Sequence, residues 1–117
     1  MSDNVVIYHN PRCSKSRATL QLLEERGETV EIIKYLDTPP SKDTLIAVLS
    51  LLQLSPRQLM RRGEAEFRDQ NLDNPELSDE ALIDAMLNTP KLIERPIVVK
   101  GARAAIGRPP ETVLDIL

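Results

Sequence analysis

The amino-acid sequence predicts an α/β fold built on a mixed sheet of about four strands. Three observations carry that expectation. A β-branched run, a helical repeat and a second β-branched run follow one another over residues 5–36, the order of a βαβ unit. Two short runs at 95–100 and 103–106 enclose Gly101-Ala102 and lead into a last apolar repeat, the order of a ββα unit. Between them, residues 41–88 carry helical periodicity and caps without strand-like alternation.

Taken in order, Val5-Val6-Ile7-Tyr8 is the first strand, bounded by Asn4 and by Asn10-Pro11. A helix follows, with Ala18, Leu22 and Leu23 as its apolar face and Gly27 as its stop. Residues 29–36 alternate enough to form a second strand beside the first, and Asp37-Thr38-Pro39-Pro40 ends it because two prolines remove backbone donors. Ser41 caps a helix whose inward residues are Leu45, Val48, Leu49 and Leu52. Ser55-Pro56 opens a shorter helix expected to carry Leu59, Met60, Arg61 and Arg62 and to break at Gly63. A short helix is expected over 64–71, then one from Ser78 to Thr89-Pro90 with Leu82, Ile83, Met86 and Leu87 inward. After the closing hairpin, Gly107-Arg108-Pro109-Pro110 leads into a helix with Val113, Leu114 and Leu117 on one face.

A right-handed crossover makes the first two strands parallel, and the hairpin adds antiparallel strands to the same sheet. The result is a thioredoxin-like plan: one domain over 1–117, with a helical insertion at about 41–88 between the βαβ and ββα halves. Sites in such sheets form beyond the carboxyl end of the first strand. Cys13 stands there, and it is the only cysteine of the 117 residues.

A lone cysteine is commonly a small buried hydrophobe. Here Pro11 and the polar, basic neighbours argue for exposure. At the start of a helix the unpaired N–H groups, the dipole, and the nearby Arg12, Lys15 and Arg17 all favour thiolate over thiol. Free cysteine has a pKa of about 8.5, which helix ends lower to roughly 3.5–7.5. Ser16 occupies the second-thiol position of a Cys-x-x-Cys spacing; its hydroxyl can bond the sulfur or cap backbone donors, and it cannot form a disulfide. His9, the only histidine, can tune the sulfur or serve as a structural hydrogen-bonding group.

Arg61, Arg95 and Arg108 stand in separate segments next to element ends. The last two flank the hairpin that packs beside the first strand, so both can reach the Cys13 end of the sheet. Their forked donors match a tetrahedral oxyanion. Arg57, Arg62 and Arg103 compete for the same role. One Cys and one His do not supply the usual zinc ligand set, so no metal is expected.

Composition sets the remaining bounds. At 41% hydrophobic and 28% charged, the chain is ordinary for a soluble globular domain. A net charge of −3 gives no general attraction to nucleic acid or anionic membrane. No apolar run approaches the roughly 18 residues of a span, and Met1-Ser2-Asp3-Asn4 lacks signal-peptide character. A cytoplasmic monomer is expected. With one cysteine, redox chemistry must borrow an external thiol.

The segments Tyr8-His9-Asn10-Pro11-Arg12-Cys13-Ser14-Lys15-Ser16-Arg17, Leu36-Asp37-Thr38-Pro39-Pro40, Leu59-Met60-Arg61, Glu94-Arg95-Pro96-Ile97-Val98-Val99 and Gly107-Arg108-Pro109-Pro110 resemble those of the glutaredoxin-dependent arsenate reductases. Order and spacing are kept over nearly the whole chain. Its end at Leu117 and its Ser14-Lys15 pair resemble the short branch of that family. The resemblance implies Cys13 as catalytic nucleophile on arsenate and Arg61, Arg95 and Arg108 as oxyanion-binding residues. It matches His9, Ser16 and Arg17 to thiolate-stabilising positions of the loop. It further implies a cis Pro96, no bound cofactor, glutathione as co-substrate and glutaredoxin as partner. Two alternatives share the fold: a redox-sensing, RNA-polymerase-binding regulator of the Spx type, and a glutathione-dependent thiol reductase acting on another substrate. Spx-type proteins usually carry a Cys-x-x-Cys switch, which Ser16 interrupts.

Overall fold

The structure, a computed structural model, describes residues 4–117. Met1, Ser2 and Asp3, on which the reading of the amino end rests, lie outside the described residues. Two compact units are present, one formed by the chain up to Thr38 together with Arg95–Leu117, the other by Pro39–Glu94.

In the first unit, β1 (Val5–Tyr8), β2 (Val30–Ile33), β3 (Ile97–Lys100) and β4 (Arg103–Ile106) form one sheet in the order β2-β1-β3-β4. β1 pairs parallel with β2, Val5 opposite Val30, and antiparallel with β3, Val5 opposite Lys100. The β3–β4 hairpin turns at Gly101, whose φ of +59° is open to glycine at little cost. β2 stops at Ile33, short of the expected 36, because the chain turns there: the N–H groups of Asp37 and Thr38 both donate to Lys34 O. Tyr35 is buried within that turn.

Helix α1 (Ser14–Glu25) starts where expected, but its inward face differs. Ser16, Thr19 and Leu23 are buried, while Ala18 is exposed. Thr19 faces inward against Gly107, where a Cβ would meet Pro96 Cγ at 2.8 Å and the Thr19 side chain, and Ser16 faces inward against His9 and Asn10. The last helical segment, Pro110–Ile116, is 3₁₀ rather than α. With three residues per turn, Val113 and Ile116 share the buried face, in place of the expected Val113, Leu114 and Leu117. The core comprises Val5, Ile7, Leu23, Val98, Ala105, Val113 and Ile116. Complete burial of a side chain such as Ile7 contributes about 1.5–3 kcal/mol.

The second unit contains α2 (Lys42–Leu52), α3 (Pro56–Leu59), α4 (Ala65–Asp69), α5 (Asp79–Asn88) and a 3₁₀ turn, Pro90–Leu92. Ser41, Ser55 and Ser78 each accept from a backbone N–H as N-caps, as the sequence predicts for the first two. α3 is shorter than expected and does not carry Arg61. Its capping box with Gln58 closes one turn, after which Met60 turns extended and bridges Ile93, and Arg61 N–H donates to Leu92 O at 2.7 Å.

Gly107→Ala is expected to destabilise the protein by about 1–3 kcal/mol through overpacking. Gly63→Ala, where an added Cβ meets nothing within 4 Å, is the control and should stay within about 0.5 kcal/mol. Urea midpoints of the two variants check this; equal midpoints would contradict the packing account.

Candidate functional site

The site is built by a turn. Asn10-Pro11-Arg12-Cys13 closes with Cys13 N–H donating to Asn10 O at 3.0 Å, and Arg12 N–H donates to Asn10 Oδ1 at 3.0 Å. Asparagine at the first turn position and proline at the second are the residues this geometry favours. The turn delivers Cys13 as the N-cap of α1, with φ −92° and ψ 123° and an intermediate exposure.

Beneath it lies a polar pair. Ser16 is fully buried and His9 is 6% exposed, and Ser16 Oγ sits 2.6 Å from His9 Nδ1. The Asn10 N–H donates to the same oxygen at 3.0 Å. A hydroxyl has one proton and two lone pairs, so Ser16 Oγ accepts from Asn10 and meets Nδ1 as donor or as acceptor according to the imidazole tautomer. Burial, followed by the charges of Lys34 and Arg17, holds the His9 pKa below its ordinary value, which favours the neutral imidazole. The Ser16 hydroxyl is therefore committed to His9 and Asn10; what Ser16 offers the sulfur is its backbone N–H.

Burial alone pushes the Cys13 thiol up. The N–H groups of Ser16 and Lys15, then the Arg95 guanidinium by charge and by hydrogen bond, outweigh it and bring the net shift below the ordinary thiol value. The two N–H groups act on the sulfur although it closes no cap hydrogen bond of ordinary geometry. Arg108 Nη1 lies 3.9 Å from Sγ, the outer limit for a hydrogen bond to sulfur, and donates to Arg95 O at 3.2 Å. Arg95, acting by both charge and hydrogen bond, is thus the principal cation on the thiol, and Arg108 stands beside it. The Arg95-Pro96 peptide is cis, as expected from the resemblance, and so is Arg108-Pro109, which the sequence reading did not anticipate.

The other expected residues are placed as follows. Arg17 donates to Pro11 O at 2.9 Å and its charge bears on His9; the side-chain charge that lowers the Cys13 pKa comes from Arg95 rather than from Arg12, Lys15 or Arg17. Arg61, in the helical unit, is held by Glu64 at 3.1 Å and Glu94 at 2.8 Å. Of the competitors, Arg57 donates to Leu72 O and Asn74 O and closes a loop in that same unit. Arg103 donates to Asp115 O, Arg62 is exposed, and neither is among the groups acting on the sulfur. Among the described residues no three His, Cys, Asp or Glu side chains cluster as a metal site, and no helix is long and apolar enough to cross a membrane. The sequence reading missed Thr19. It donates to Lys15 O at 2.8 Å and packs on Gly107, joining the first turn of α1 to the segment that carries Arg108.

A cysteine of lowered pKa at a helix start, beyond the carboxyl end of a central strand, defines a thioredoxin-like protein with a single-cysteine site. Residues 8–116 match the ArsC family, and the chain belongs to it. It is 53% identical over 118 residues to YfgD of Escherichia coli K12, called an uncharacterized protein, covering 100% of this chain and 99% of that one. It is 48% identical over 114 residues to an arsenate reductase of Neisseria meningitidis, covering 97% of each. The solved arsenate reductase of Vibrio cholerae superposes with a TM-score of 0.97 at 52% identity, covering 100% of both chains.

The pH dependence follows from these shifts. The alkylation rate of Cys13 should rise with a midpoint below about 8.5, and Arg95→Ala should move that midpoint up. Both Cys13 and His9 have folded values below their unfolded ones. Each therefore contributes stability that is complete above its unfolded pKa and lost as pH falls through the folded one. An iodoacetamide rate profile of wild type and Arg95→Ala checks the thiol, and an imidazole NMR titration with a midpoint below about 6.5 checks His9.

Proposed function

We propose that this protein reduces arsenate to arsenite, with Cys13 as nucleophile and glutathione and glutaredoxin as thiol donors. The observation that carries the reading is the convergence of Arg95 and Arg108 on a sulfur whose pKa is lowered. Guanidinium groups suit a doubly charged tetrahedral oxyanion, and the ionised thiol is the form that attacks it. The relatives named as arsenate reductases support the substrate.

In the first step the Cys13 thiolate attacks arsenic, an arsenic–sulfur bond forms, and one arsenate oxygen leaves as water after taking up two protons. Arg95 and Arg108 hold the remaining oxygens as charge shifts onto them. For Arg61 the support is the resemblance of its motif, Leu59-Met60-Arg61, alone. Reduction requires two electrons, and Cys13 returns unchanged, so both come from outside the chain. Glutathione condenses on the adduct with loss of a second water. The glutaredoxin thiolate then attacks the glutathione sulfur: a mixed disulfide forms, the arsenic–glutathione bond breaks, and its electron pair stays on arsenic, taking it from +5 to +3. Hydroxide displaces the Cys13 thiolate and arsenite departs.

Arsenate-dependent NADPH oxidation in a coupled assay with glutathione, glutaredoxin and glutathione reductase tests the reading. Cys13→Ser should lose about a thousandfold or more, and Arg108→Ala about 10²–10³-fold in kcat/KM. Folded wild type with no arsenate-dependent turnover would reject arsenate as substrate and favour a thiol reductase for another oxidised compound.

A further inference from the structure

Cys13 is flanked unequally. On the β3 side stand Arg95 and Arg108, which suit the oxyanion. On the β2 side the sheet ends in a cleft of about 310 Å³, within the size range of small-molecule sites. Asn10, Pro11 and Arg12, the residues just before the nucleophile, form one wall, and Lys34, Leu36 and Asp37, the turn after β2, form the other.

The chemistry of the walls specifies an occupant. Arg12 and Lys34 are exposed, line the cleft, and form no ion pair with an acid among the described residues. Asp37 adds one anionic group at the same rim, and Pro11 and Leu36, the latter 42% exposed, supply apolar surface. Two cations, one anion and a short apolar floor complement a small peptide bearing two carboxylates and one ammonium. An exposed ion pair contributes little by itself, so binding here draws on several such contacts acting together.

We propose that this cleft binds the glutathione that attacks the Cys13 adduct: Arg12 and Lys34 take its carboxylates and Asp37 its ammonium. This rests on the thiol-dependent reading above and extends it. A thiol seated one residue from Cys13 on the β2 side meets the adduct from the face opposite the arginines, leaving the bound oxyanion undisturbed. The wall residues contact the reactant by charge alone, and no bond to protein forms or breaks.

The test separates the two ideas. S-methylglutathione, which cannot react, is titrated into the full chain and followed by amide NMR shifts. The expected result is saturable shifts at Asn10, Arg12 and 34–37, with Kd raised tenfold or more in Lys34→Glu and in Arg12→Glu. An Asp37→Asn variant should weaken S-methylglutathione more than its deaminated analogue. Absence of binding at millimolar concentration, shifts centred elsewhere, or unchanged affinity in folded charge-reversed variants would overturn the inference. Loss of arsenate turnover with intact S-methylglutathione binding in this cleft would remove the arsenate reading and leave the site standing. The converse result, glutathione-dependent arsenate turnover whose glutathione KM is unaffected by Lys34→Glu, would remove the site and leave the reading.

Discussion

The structure depends on one electrostatic constraint: a thiol whose pKa is lowered by the guanidinium of Arg95, with Arg108 beside it. Cys13 lies on a turn after β1, Arg95 just before β3, and Arg108 just after β4. They meet because β1 and β3 are sheet neighbours and β4 returns the chain to the same end. Two bracing contacts fix the approach. Gly107 N–H donates to Pro96 O at 2.9 Å, and the bare Cα of Gly107 lets the Thr19 side chain close on it. A side chain at 107 would force α1 and the Arg108 segment apart, changing the distance over which the charges act. Packing and chemistry are therefore coupled at a residue that carries no functional group.

The turn and the buried pair serve the same end differently. His9 and Ser16 do not present their side-chain donors to the sulfur; they satisfy each other and the Asn10 amide inside the fold. A buried hydroxyl and imidazole left unpaired would each cost about 1–3 kcal/mol, so the pair fixes the loop by mutual satisfaction. With the loop fixed, the N–H groups of Lys15 and Ser16 face the sulfur and offset the burial that would otherwise raise its pKa. The two readings of Ser16, partner of the sulfur or partner of backbone donors, resolve by atom: the hydroxyl serves the backbone, the amide serves the thiolate.

Much of this was legible in the chain. β1, the Ser41 and Ser55 caps, the hairpin at Gly101-Ala102 and the placement of Cys13 at a helix start follow from local rules that tertiary contacts did not override. What escaped the sequence depended on contacts between distant segments. The inward face of α1 reads as Ala18, Leu22 and Leu23 by hydrophobicity, but its neighbours are the Gly107 backbone, which selects Thr19, and the His9–Asn10 segment, which selects Ser16. The terminal segment winds as 3₁₀, which places Ile116 rather than Leu114 inward. Arg12, Lys15 and Arg17 are near Cys13 in sequence, yet the charge that acts on the sulfur comes from Arg95, 82 positions further on by number. The single-cysteine count, by contrast, bounded the chemistry from the start, since any disulfide formed by Cys13 needs a thiol from outside the chain.

The central claim is that thiolate and oxyanion share the same guanidinium groups. It is tested most directly by measuring how fast iodoacetamide modifies Cys13 at neutral pH as arsenate is added without any other thiol. The account predicts saturable protection in wild type, with the protecting concentration raised at least tenfold in Arg95→Lys. A rate that does not change with arsenate, in a protein whose thiol is fully reactive, would contradict it.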